Sequence, residues 1–208
     1  MTTDVHRSKL VWATVVLAAV LWFITFYLAW SNFWIKISFS AAILAILSVR
    51  IQPLPSDQLR FGWRTVVQGF SSAAILYAIF WFGKWASSLA FPFAPHQIGA
   101  IYGKGEGFPI LIIFFMLLLV TGPSEEIFWR GFLQRNLMVR YGTLRGWLLA
   151  TAIYAGVHIW SFNFMLIGAA AVAGAFWGLL YLRWKNLAPV IISHAVWSAF
   201  IFAVVPIP

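Results

Sequence analysis

Apolar residues run almost without interruption along this chain, broken at short intervals by small groups of basic residues, proline and glycine. Segments at 10–30, 33–49, 65–83, 107–133, 146–162, 163–182 and 187–207 stand out. Each approaches the ~20 residues that a helix needs to cross a hydrocarbon layer. The pattern predicts an all-α fold, a polytopic transmembrane helical bundle of about seven spans. The fourth segment is too long for a straight crossing and contains Gly122-Pro123, where a kink or break is expected. No internal repeat and no low-complexity tract interrupts the series. Two regions are expected: N-terminal transmembrane helices with an outer loop at 1–106, and a transmembrane core at 107–208.

Composition strengthens this reading. Hydrophobic residues make up 62% of the chain and charged residues only 9%, which leaves no room for a separate soluble domain. Cysteine is absent, so thiol catalysis, thiolate metal sites and disulfides are excluded. The net charge of +9 does not point to nucleic acid, because the basic residues lie between apolar runs instead of on a soluble face. Their placement sets an orientation. With the N-terminus in the cytoplasm, Arg7, Lys9, Arg50, Arg60, Arg64, Arg135, Arg140, Arg145, Arg183 and Lys185 fall inside, 10 of the 14. Lys36, Lys84 and Lys104 fall outside, and Arg130 lies within the fourth segment. The expectation is a multi-pass protein of the cell (plasma) membrane, N-terminus in and C-terminus out. The first run is longer than a signal-peptide core and no small-residue cleavage site follows it, so it is read as an uncleaved span. The connection 84–106 is the longest outer segment, with Pro92, Pro95, His96, Lys104 and Glu106, and is expected at the interface. The 13 tryptophans suit interfacial anchoring and packing.

Five acidic residues exist, and Glu125 and Glu126 stand side by side in an apolar run. A carboxylate in hydrocarbon costs about 2.5–3.5 kcal/mol on insertion scales. Successive side chains on a helix diverge by about 100°, so the two need not share one role. Glu126 precedes Arg130 by four residues, the spacing of a helical ion pair, which leaves Glu125 for proton transfer. The alternative is an interfacial Glu–Arg cluster marking a span end. His6 and His96 are expected in solvent, whereas His158 and His194 lie in apolar runs. If 124–140 and 144–162 form a hairpin turning at Gly142, Glu125 and His158 sit at matching depth, about 24–26 Å from the turn at 1.5 Å per residue. His194 lies nine residues beyond Lys185, within the bilayer interior.

These residues resemble the CPBP family, the CAAX-protease and bacteriocin-processing (Abi) group of intramembrane proteases, whose pattern is EExxxR, then FxxxH, then HxxxN or HxxxD. The first element is intact as Glu125-Glu126-Ile127-Phe128-Trp129-Arg130. The second is Tyr154-Ala155-Gly156-Val157-His158, with Tyr for Phe, and the third is His194-Ala195-Val196-Trp197-Ser198, with Ser for Asn or Asp. The resemblance covers about residues 107–200, so the region 107–208 is expected to be a CPBP-like catalytic core.

It implies an intramembrane endopeptidase that hydrolyses a peptide bond of a membrane-anchored or lipidated substrate, in contact with membrane lipid. Glu125 is expected to activate water, His158 to orient it or share its proton, and His194 to stabilise the oxyanion with help from the Ser198 hydroxyl. Glu126 and Arg130 are expected to hold the helix and tune Glu125. Glu125, His158 and His194 also match a catalytic zinc ligand set, so a metalloprotease and a metal-free glutamate mechanism both stand at this point. So do two other classes: a proton-coupled transporter, and a non-enzymatic membrane binder such as an immunity or assembly factor.

Overall fold

The computed structural model describes residues 2–207, with side chains from Ser8 to Ile207. The expectations for His6 and Arg7 fall on side chains outside that set. Among the described residues the regular structure is helical throughout. The principal helices are α1 (Thr2–Phe26), α2 (Phe33–Ile51), α3 (Trp63–Ala90), α4 (Ala94–Tyr102), α5 (Ile110–Tyr141), α6 (Thr143–Val157), α7 (Phe164–Trp184) and α8 (Ala188–Ala203).

Local chemistry sets the boundaries. Asn32 starts α2 by accepting a 2.8 Å hydrogen bond from the Trp34 N–H, and Asn163 starts α7 by accepting one of 2.9 Å from Leu166 N–H. Each cap satisfies a donor that the first helical turn leaves unpaired. Pro189 opens α8, where its missing N–H costs nothing. Gly142, with φ +86°, reverses the chain between α5 and α6 in a conformation that disfavours side chains. The hairpin expected at that glycine forms.

All seven expected spans are helical, but among the described residues only α1, α2, α3, α5 and α7 have the length and composition to cross a membrane. At 15 and 16 residues, α6 and α8 are shorter, about 22–24 Å at 1.5 Å per residue. Among the described residues the expected bundle of about seven helices thus comprises five long enough to span and two shorter ones. Gly122-Pro123 does not break the helix. Instead α5 continues for 32 residues, with π-helical stretches at Leu117–Thr121 and Ile127–Gln134 on either side of an α-helical turn, Gly122–Glu126. Widening the helix before Pro123 accommodates a ring that would clash in a straight α-helix.

Outside the bundle, Val16 of α1, Phe70, Ile75, Trp81 and Phe82 of α3, and Leu111, Phe115 and Leu119 of α5 are exposed. Ridges of large apolar side chains on long helices are what a hydrocarbon surround accommodates. Inside, α5 runs between α2, α6 and α8, and α8 lies along α3. Gly122 makes this possible near the polar residues: a Cβ there would stand 2.8 Å from the Ala195 Cα. Only a residue without a side chain lets α5 approach the α8 backbone next to His194.

Candidate active site

The turn between the two π-helical stretches carries Glu125 and Glu126, and the divergence of neighbouring helical positions separates them. Glu125 lines a cavity of about 420 Å³ together with Tyr154, His158, His194 and Ser198. Glu126 is fully buried behind it. π-Helical insertions occur often at functional sites because they re-aim side chains without ending the helix.

Glu126 is the hub of the buried polar network. Its Oε1 accepts hydrogen bonds of 2.7 Å from an Arg130 guanidinium N–H and 2.7 Å from His194 Nδ1–H. Arg130 also donates to the Gly174 carbonyl at 3.2 Å, and its guanidinium lies 4.9 Å from the Tyr154 ring centre and 5.5 Å from that of Trp177. A buried carboxylate is tolerated when it is paired and hydrogen-bonded in this way. The ion pair expected from the four-residue spacing is present. Trp177 stacks on His194, ring centres 3.8 Å apart and planes 16° from parallel, and fixes the imidazole further. Held by Nδ1, the ring keeps Nε2 for other partners.

Glu125 has a different partner. Its Oε2 accepts a 3.0 Å hydrogen bond from the Tyr154 hydroxyl. The aromatic that replaces Phe in the second motif thus places a donor on the carboxylate that faces the cavity. His158, one helical turn beyond Tyr154, donates from Nδ1 to the Tyr154 carbonyl at 2.7 Å. Its Nε2 then accepts from the Trp22 indole N–H at 3.3 Å. The two partners specify the tautomer, with the proton on Nδ1. Ser198 lines the cavity, and its hydroxyl donates to the His194 carbonyl at 2.8 Å, within its own helix.

These engagements bear on the zinc set Glu125, His158 and His194. A ligating imidazole needs a free lone pair, and that of His158 is directed at Trp22. No group of three His, Cys, Asp or Glu among the described residues is disposed to hold a metal ion. The donors as arranged do not fit a catalytic zinc.

Trp22, Trp177 and the Tyr154 hydroxyl were not singled out from the sequence as functional. Trp22 lies in α1, in a segment of generic apolar composition with no motif to mark it. Tyr154 was visible as a substitution within a pattern, and its hydroxyl was the available signal.

Residues 107–200 match the family model described as type II CAAX prenyl endopeptidase Rce1-like. No curated protein and no solved structure matches the chain. The matched segment contains Glu125, Glu126, Arg130, Tyr154, His158, His194 and Ser198. Residues 107–200 are thus similar to the Rce1-like type II CAAX prenyl endopeptidases, a family of peptidases, and they carry all three motifs of the CAAX-protease (CPBP) resemblance.

Proposed function

We propose that the protein cleaves a prenylated or otherwise lipid-anchored peptide by glutamate-activated water, without a metal, in the cavity that residues of α1 to α8 line. The observation that supports this most is the separation of the two carboxylates. Glu125 faces the cavity beside His158 and His194, and Glu126 stays behind the wall, bound to Arg130 and His194.

With Tyr154 holding Oε2, the other Glu125 oxygen takes a proton from a water in the cavity. The water oxygen bonds to the scissile carbonyl carbon. His194 in its imidazolium form, ion-paired through Nδ1–H to Glu126, presents Nε2–H to the developing oxyanion. Glu125 then returns the proton to the leaving nitrogen as the C–N bond breaks. His158 offers an acceptor at Nε2, where the attacking water competes with Trp22 for the lone pair. Ser198 completes the wall next to His194. Arg130 acts by fixing Glu126. In this reading, 107–208 carries the chemistry, and residues of both 1–106 and 107–208 line the chamber for the lipid-anchored segment.

The basic bias supports a cytoplasmic N-terminus in the plasma membrane. The cavity wall includes Lys84 and Lys104, two of the lysines that this orientation puts on the outer side. The transporter and inactive-binder readings lack a comparable observation. The test uses purified protein in nanodiscs with an S-prenylated peptide. Native protein releases the C-terminal fragment, with or without chelator, and Glu125→Gln does not. Equal cleavage by the two forms, or loss of activity in chelator that zinc restores, contradicts the mechanism.

A further inference from the structure

The segment that follows α8 folds back onto the cavity. Pro206 has no N–H and cannot continue a helix, and α8 closes with the Val204 and Val205 N–H groups on the Phe200 carbonyl, at 3.0 and 2.8 Å. Three side chains then hold the backbone of residues 205–207. The Tyr77 hydroxyl donates to the Val205 carbonyl at 3.2 Å, and the Lys84 ammonium donates to the Ile207 carbonyl at 3.1 Å. Between these two, the Ile207 N–H donates to the Tyr102 hydroxyl at 3.3 Å. Tyr77 and Lys84 belong to α3, and Tyr102 ends α4.

Burial along the segment is uneven. Val204 and Val205 are 50% and 48% exposed and Pro206 is exposed, whereas Ile207 is 6% exposed. Its side chain joins the apolar cluster of Leu76, Trp197 and Ile201, and it lines the same cavity as Glu125, His194 and Ser198. Main-chain hydrogen bonds combined with one pocketed side chain are the means by which a groove binds an extended peptide. None of the three bonds from Tyr77, Lys84 and Tyr102 belongs to a helix, so release of the segment breaks no regular structure and water can take over each partner.

We propose that residues 205–207 form an autoinhibitory strap, which fills one end of the cavity in the resting protein and leaves it when a substrate chain enters. The proposal rests on the protease reading only for the identity of that entering chain. Residues 205–207 lie outside the stretch 107–200 that matches the family model. A site that is open only while the strap is released binds its ligand more weakly, in proportion to the open fraction.

The chain has no cysteine, so one introduced thiol reports alone. Ile207→Cys is added to Glu125→Gln protein in phosphatidylcholine nanodiscs, and its rate of maleimide labelling is measured with and without an S-prenylated peptide. Saturating peptide raises the rate at least several-fold. Without peptide, Lys84→Met raises it too, a readout of the clamp that needs no ligand. Adding Ile207→Ser to Glu125→Gln tightens peptide binding about tenfold or more, the factor that follows from losing the burial of one isoleucine in the closed form. Labelling that stays unchanged at saturating peptide overturns the proposal. So does equal or weaker binding by the Ile207→Ser protein, which makes Ile207 a fixed part of the wall. Faster labelling and tighter binding without cleavage by native protein support the strap and refute the protease reading separately. Cleavage by native protein with unchanged labelling does the reverse.

Discussion

The region 107–200 and the first hundred residues contribute to the same cavity in opposite ways. The first holds the charged network, in which every catalytic candidate is tied to another: Glu126 to Arg130 and His194, Glu125 to Tyr154, His158 to the Tyr154 backbone. The second supplies aromatic and aliphatic walls, notably Phe26, Phe33 and Trp34, together with Trp22 and Lys104. Chemistry needs a fixed set of residue types at fixed spacing, and this leaves a motif. A chamber for a lipid-anchored chain needs only apolar volume and a few aimed polar groups, and many sequences provide that. Under the proposed function, the residues of the reaction lie in one half, whereas the walls that would meet a substrate come from both.

Substitutions in the two regions should therefore fail differently. The largest effect belongs to Arg130→Met. It leaves the Glu126 carboxylate buried beside His194 with its main counter-charge gone, a loss of about 3–5 kcal/mol for a broken buried pair. Thermal unfolding in detergent should show a large drop in midpoint, with activity lost as well. Next is Gly122→Val, which forces side-chain atoms onto the Ala195 backbone. It should cost ~1–3 kcal/mol, the range for overpacking, and displace His194, giving inactive protein with a lowered unfolding midpoint. Tyr154→Phe removes only the 3.0 Å bond to Glu125. A tenfold or greater fall in kcat, from the ~1.5–3 kcal/mol of a hydrogen bond to a charged group, should accompany near-native stability. Unchanged kcat would make the hydroxyl a bystander. Trp22→Phe should have the smallest effect, a several-fold fall in kcat. Ring ¹⁵N spectra should show His158 changing from one tautomer to a mixture. A single tautomer in that variant would show that the Tyr154 carbonyl alone sets it.

Much of this site was legible in the sequence because its elements are local. The Glu126–Arg130 pair is one helical turn, and the hairpin at Gly142 fixes which residues of α5 and α6 face each other. Other features were not legible for identifiable reasons. His194 pairs with Glu126 and not with the cavity carboxylate, a choice made by the close approach at Gly122 and invisible in either motif alone. The π-helical stretches around Pro123 relieve a clash that sequence reading resolved as a kink. α6 and α8 read as spans because apolar composition does not reveal where a helix stops. In α6 the chain leaves α-helical geometry at His158, which also helps orient that ring. Trp22 sits in α1 among generic apolar residues, and only tertiary packing brings it 136 residues along the chain to His158.

The central claim is that two adjacent carboxylates have separate roles, one chemical and one structural. Glu125→Gln and Glu126→Gln, each in nanodiscs, should be compared for cleavage of the same prenylated peptide and for thermal unfolding. Glu125→Gln should unfold at or near the native midpoint and cleave nothing detectable. Glu126→Gln should unfold at a clearly lower temperature, because Arg130 loses its anion. Cleavage by Glu125→Gln at a rate close to native, or a native midpoint for Glu126→Gln with full activity, would contradict the account.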